Sequence, residues 1–205
     1  MLNSHSKYLF SSAYLPPISY FSTLIKAENA VFEVCEFYSK QTYRNRCKIL
    51  TANGIMDLSI PVEHANKVLI KDVRISYFAN WQTLHWRAIE SAYNNSPFFE
   101  YYKDDFLPFY QKKYDFLFDF NLNLIHKIFD LLEIRFPKIE YTEKFQTDYN
   151  LSINDLRNNF NPKKTNDIPL KPYYQVFNEK FGFTPDLSIV DMLFNCGNET
   201  ILLLN

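Results

Sequence analysis

Lys7-Tyr-Leu-Phe10-Ser-Ser-Ala-Tyr14-Leu15, then Pro16-Pro17 and Ile18-Ser-Tyr-Phe21-Ser-Thr-Leu-Ile25-Lys-Ala27, then Ala30-Val-Phe-Glu-Val-Cys-Glu-Phe37, read in succession as strand, helix and strand. Tyr8-Leu-Phe10 is a short apolar run that gives way to small residues. Two prolines suit the first turn of a helix, where a missing N–H costs nothing. Ala30 to Phe37 is rich in β-formers and apolar enough to be buried on both faces. Such an opening predicts a parallel pair joined by a crossover helix, and with it an α/β fold.

Next along the chain, Tyr43 to Thr51 and Ile55 to Val62 flank Asn53-Gly54. Asn-Gly favours a tight hairpin, because both central positions of a type I′ turn need positive φ. Leu58, Ile60 and Val62 alternate inward on the second strand. On the first, Arg44, Arg46 and Lys48 share one face, with Tyr43, Asn45, Cys47 and Ile49 on the other. Asp72 to Ser76 reads as a further short strand. Asn80 then caps a helix from Trp81 whose apolar stripe is Trp81, Leu84, Ala88 and Ala92, ended by Pro97. Phe106 to Ile134 holds one or two more helices and is closed by Pro137.

Residues 138 to 171 change character, rich in Asn, Asp, Lys and Thr, with Asn161-Pro162-Lys163-Lys164 as an exposed loop. A surface connection and a lid both fit this composition. Tyr173 to Lys180 reads as a helix. Ser188-x-x-Asp191 reads as a capping box before Ile189 to Phe194, and Gly197 as the end of that helix. The expected architecture is one α/β domain over residues 1–205, with a mixed sheet, a central Asn-Gly hairpin and several flanking helices.

Composition sets the limits of function. Of 205 residues 47% are hydrophobic, with twenty Phe and fifteen Tyr, which implies an aromatic core or a cleft lined with rings. A net charge of −1 argues against nucleic-acid binding, which leaves a basic footprint. No apolar run reaches the ~20 residues of a membrane span, and the polar start Met1 to Lys7 lacks a signal-peptide pattern. Cys35, Cys47 and Cys196 fit neither a disulfide framework nor a metal motif and read as reduced thiols. A cytoplasmic location follows.

Only Gly54, Gly182 and Gly197 are present, so a Rossmann fingerprint, a P-loop and a Gly-x-Ser-x-Gly elbow are all missing. His5, His64, His85 and His126 show no metal-binding spacing. Neither a metal nor a dinucleotide cofactor is expected. The unusual chemistry gathers instead in Lys40-Gln41-Thr-Tyr43-Arg44-Asn45-Arg46 and Trp81-x-x-x-His85-Trp86-Arg87. His85, at the border of its helix stripe, is either a satisfied half-buried histidine or a general acid/base. Arg44 and Arg46 are either a solvated strand face or two planar forks gripping a carboxylate or phosphate, with Lys40 and Gln41 extending the clamp. Tyr43 and Trp81 or Trp86 can stack on a sugar or base ring.

Several ordered segments resemble the WbqC-like family of bacteria: Tyr14-Leu-Pro-Pro-Ile-Ser-Tyr20-Phe21, Lys40 to Arg46, Leu58-Ser-Ile-Pro-Val62, Trp81-x-x-x-His85-Trp-Arg87, Ser91-Ala-Tyr93 and Ser96-Pro-Phe-Phe99. Tyr174-Gln-Val-Phe177 and the Leu187 to Asn195 segment also fit. Where many members carry His-Gln-Pro, this chain has Phe10-Ser-Ser-Ala13, and Cys35-Glu36 replaces an acidic pair. The resemblance implies a place in O-antigen or surface-polysaccharide biosynthesis. Its leading form is transfer of an acyl or aminoacyl group, glycyl among them, onto a sugar or sugar nucleotide. In that account Arg44 and Arg46 hold phosphate or carboxylate, His85 is the base, and Lys40, Gln41, Tyr43, Asn45, Trp81, Arg87 and Tyr93 bind or position substrate. The alternative is a non-catalytic module binding a sugar nucleotide or a partner enzyme.

Overall fold

A computed structural model describes residues 7–149, 153–163 and 170–204. The polar start before Lys7, with His5, and Lys164 of the Asn161 to Lys164 segment lie outside the described residues.

The opening folds as its composition demands. Strand β1 (Lys7–Ser11) leads through Pro17, whose extended backbone precedes the first helical residue, into helix α1 (Ile18–Ile25). Strand β2 (Asn29–Glu33) returns parallel to β1, in register from Lys7 opposite Asn29 to Ser11 opposite Glu33. Both strands are buried beyond their first residue, as fits a sheet covered on two faces.

Strands β3 (Arg46–Thr51) and β4 (Gly54–Ser59) form the antiparallel hairpin, a two-stranded sheet of its own. Its turn differs from a type I′. Thr51 pairs with Gly54, and Gly54 alone takes positive φ (102°), in the manner of a G1 bulge. Thr51 fixes the corner by accepting from the Asn53 N–H and donating to the Gly54 carbonyl. Because β3 starts at Arg46, Arg44 precedes the strand and leaves the face it was expected to share with Arg46 and Lys48. The expected strand at Asp72 to Ser76 is a 3₁₀ turn over Ile70–Asp72 followed by single bridges from Arg74 to Phe116 and from Ile75 to Val62.

Helix α2 (Trp81–Tyr93) packs on β3 and on helix α3 (Phe99–Gln111), and helix α4 (Leu117–Leu131) follows. Asn80 makes no side-chain cap. The buried stripe of α2 runs through Trp81, His85, Ile89 and Tyr93, whereas Leu84 is 62% exposed. A register of i, i+4, i+8 therefore sets His85 in the middle of the buried face rather than at its border.

The polar stretch hides two edge strands. Strand β5 (Lys138–Tyr141) pairs parallel with β2, and β6 (Ile153–Asp155) parallel with β1. The sheet order β5-β2-β1-β6 is parallel throughout. The helix expected over Tyr173 to Lys180 shrinks to α5 (Asn178–Phe181). Helix α6 (Ile189–Cys196) is capped by Ser188, which accepts from the Val190 N–H, and Gly197 (φ 57°) ends it before α7 (Thr200–Leu204). A Cβ on Gly197 would sit 2.7 Å from the Phe98 ring, so close packing as well as φ requires glycine. Asp191 does not close the capping box. It turns into the core, where the hydroxyls of Tyr93 and Tyr173 and the Gln175 amide donate to its carboxylate.

One hydrophobic cluster links sheet, hairpin and helices. No helix among the described residues is long and apolar enough to cross a membrane.

Candidate functional site

In an open parallel sheet, ligands settle outside the carboxyl ends of the strands, where strand order reverses direction. Here the chain runs from β1 outward to β2 and β5, and then crosses to the opposite side of β1 to lay down β6. The reversal lies between β1 and β6. Their ends, Ser11-Ser12-Ala13 and Leu156-Arg157, face each other across a crevice whose walls also include Tyr43 and Arg44. Tyr20 and Phe160, rings 5.1 Å apart edge to face, close it. Its free space is about 10 Å³, room for about one water. Beyond Arg157 a larger cavity of about 230 Å³ opens between Glu36, Phe145, Thr147 and Asn158.

Two buried arginines organise this edge. Arg44 donates from Nε (2.8 Å) and Nη2 to the two oxygens of Glu36, and from Nη2 to Ser11 Oγ at 2.8 Å. Its Nη1 makes no hydrogen bond to another described residue. The backbone carbonyl of Arg44 accepts from Asn121 Nδ2, which also reaches Ser12 Oγ at 3.4 Å. Arg157 donates from Nε to Asp155 (2.9 and 3.1 Å), from Nη2 to the same carboxylate, and from Nη1 to Glu33 at 3.0 Å. Glu33 is wholly buried and also accepts from the Cys35 N–H and the Thr142 hydroxyl. The Arg157 guanidinium lies over Phe145 and Tyr149, 5.0 and 5.1 Å from the ring centres. Burial raises the Asp155 carboxyl, but the Arg157 hydrogen bonds and charge outweigh this and hold it below its ordinary value.

The candidate residues from the sequence divide between this edge and other places. Arg44 and Tyr43 line the crevice. Arg46 lies on the hairpin, bonded to Asp57 (3.0 Å) and Ser59 (3.1 Å), so the structure does not bring the two guanidiniums to one cavity. Asn45 donates to the Ile60 carbonyl, and Lys40 and Gln41 are exposed on the preceding loop. Trp81 is buried among Tyr77, His85, Tyr110 and Phe120, its indole N–H unpartnered among the described residues. Arg87 is exposed, and Tyr93 is committed to Asp191.

His85 is 5% exposed, with Nδ1 hydrogen-bonded at 3.0 Å to Tyr14, whose hydroxyl continues to Tyr110. Burial drives its pKa down to about 4, only partly offset by the Ser59 backbone. The ring is neutral at pH 7 and does not line the crevice; its partner Tyr14 follows Ala13 of the wall. Among the described residues no group of three or more His, Cys, Asp or Glu side chains is placed to hold a metal.

Glu33, Asp155 and Arg157 escaped the sequence reading. Glu33 and Arg157 are 124 positions apart. The one available signal was a pair of acids, Glu33 and Glu36, inside an otherwise apolar strand segment.

The model of the WbqC-like protein family matches residues 11–165, which run from the last residue of β1 through β6 and include both arginines. The uncharacterized protein Rv1507c of Mycobacterium tuberculosis is 24% identical over 93% of this chain and 94% of its own length. No solved structure matches the chain.

Proposed function

We propose, from the premise that this chain belongs to the WbqC-like protein family, that it is a cytoplasmic sugar-recognising protein of O-antigen or surface-polysaccharide biosynthesis. It takes a sugar or sugar nucleotide at the carboxyl edge of its parallel sheet. The observation that carries this reading is the arrangement at the β1–β6 reversal. Hydroxyls and the Arg44 guanidinium, whose Nη1 makes no hydrogen bond among the described residues, line the crevice beside aromatic rings, and the adjoining cavity of about 230 Å³ outside Arg157 gives a sugar ring its room, the mixture that hydrogen-bonds sugar hydroxyls and packs on the ring's apolar face. The crevice is also built from Ser11-Ser12-Ala13, the place where the chain departs from the His-Gln-Pro of its look-alikes.

Titration calorimetry with a panel of sugars and sugar nucleotides tests the reading. Arg44→Lys keeps the charge and removes the fork, so it should weaken binding roughly ten-fold or more, the worth of one charge-assisted hydrogen bond. No binding across the panel would end the proposal.

Transfer of an acyl or aminoacyl group, glycyl among them, onto the bound sugar is the second reading. One contact favours it: Tyr14, next in the chain to Ala13 of the crevice wall, is hydrogen-bonded to His85 Nδ1. With a pKa of about 4 the imidazole is a weak base, which ranks binding above transfer. Incubation with activated acyl and glycyl donors, followed by mass spectrometry, decides between them. An added mass that disappears in His85→Gln, with sugar binding intact, establishes transfer; unmodified sugar removes it.

A further inference from the structure

Resting on the sugar-binding reading above, we infer that this edge receives the neutral ring of a sugar and turns away the diphosphate of a nucleotide. Three observations agree. The first is the position where nucleotide-binding sheets usually hold phosphate, the N-terminus of the helix after the first strand. In this chain that position is filled from within. The Ile18 N–H donates to the Leu187 carbonyl, and the Ser19 N–H and hydroxyl donate to the Asp186 carboxylate at 2.8 and 3.0 Å. An internal anion already sits where a phosphate would.

The second is charge. Glu33, Glu36 and Asp155 are set against Arg44 and Arg157, three carboxylates to two guanidiniums, which leaves one net negative charge at the edge. A diphosphate would bring further negative charge into a partly buried site, where like charges repel far more than in water. Both arginine forks are also spent. Each gives Nε and Nη2 to one carboxylate, so neither can grip a phosphate through two parallel bonds. What remains among the described residues is Arg44 Nη1, on the narrow crevice next to that cavity, a donor for one hydroxyl or carbonyl oxygen.

The third is size and lining. The cavity outside Arg157 holds about 230 Å³, below the ~300–1,000 Å³ of sites for larger ligands, and suits one ring. Phe145, half exposed on its wall, offers a flat apolar face, while Thr147 and Asn158 offer hydrogen-bonding groups.

The test uses the full chain and saturation-transfer NMR backed by calorimetry. Its probes are neutral hexoses, N-acetylhexosamines, the matching uridine-diphosphate sugars, and free uridine diphosphate. Neutral sugars should bind, free uridine diphosphate should neither bind nor compete, and each sugar nucleotide should match its free sugar within about threefold, a spread that leaves no room for a phosphate contact. Glu36→Gln, checked for folding by circular dichroism, should then admit the free diphosphate. Competition by uridine diphosphate, or sugar nucleotides bound ten-fold tighter than their sugars, overturns the inference and leaves the sugar-nucleotide reading standing. Silence from every probe overturns both.

Discussion

Arg44 and Arg46 stand two residues apart, yet one belongs to the carboxyl edge of the parallel sheet and the other to the hairpin. At the edge, guanidiniums are buried against carboxylates that are themselves buried. On the hairpin, Arg46 meets an Asp57 side chain that is 41% exposed. The same residue type thus does different work. A buried pair is nearly neutral while complete and costly once broken, because the partner is left charged and dry. An exposed pair trades protein contacts for water at little cost either way. What an arginine contributes is therefore set by its partner's burial more than by its own motif.

Four measurements put that contrast at risk, beginning with the largest. Arg157→Ala should cost about 4–5 kcal/mol in urea unfolding, since it strands Glu33, which has no access to water. A loss near that of a surface substitution would erase the distinction. Arg44→Ala should follow at about 3–4 kcal/mol, and pairing it with Glu36→Leu should recover part of the loss, because the orphaned charge is then gone.

His85 sharpens the comparison as a buried titratable group with no ionic partner among the described residues. Its folded pKa of about 4 lies below the ordinary 6.5, so the unfolded chain binds the extra proton. Stability should be fully present above pH 6.5 and fall as the pH drops toward 4, by about 3 kcal/mol, a slope missing from His85→Gln. A pH-independent stability over that window would place the imidazole in water. Last, Arg46→Ala should change stability by less than about 1 kcal/mol, and less still in high salt. A larger cost would mean that the hairpin pair is insulated after all.

The sequence spoke clearly where one local pattern outweighed the rest. The strand–proline–helix opening, the Asn-Gly corner and the Trp81 helix are periodic or punctuated enough to read directly. Strands β5 and β6 were illegible for a physical reason: both are sheet edges, four and three residues long and at most half-buried, so they carry no apolar alternation. The burial of His85 hid behind a choice of helix register, with Leu84 competing for the stripe. At the edge, Arg44 could be singled out, but its partner Glu36 could not be chosen among neighbouring acids. Arg157 lay in a polar segment whose composition matched solvent exposure. Contacts such as Glu33 to Arg157 depend on the crossover that seats β6, and no local signal announces it.

That late crossover has a consequence for synthesis. Ser11 and Arg157, joined through the Ser11 hydroxyl and the Arg157 carbonyl, are 146 positions apart. At ~5–20 residues per second, a ribosome needs on the order of ten seconds to deliver the strand that covers one flank of β1. Meanwhile β1 and β2 can pair, but one flank of β1 offers unpaired backbone groups to any passing chain. The nascent protein therefore carries a period of stickiness that the finished one lacks, and holding that flank until β6 emerges is a job suited to a chaperone at the ribosome.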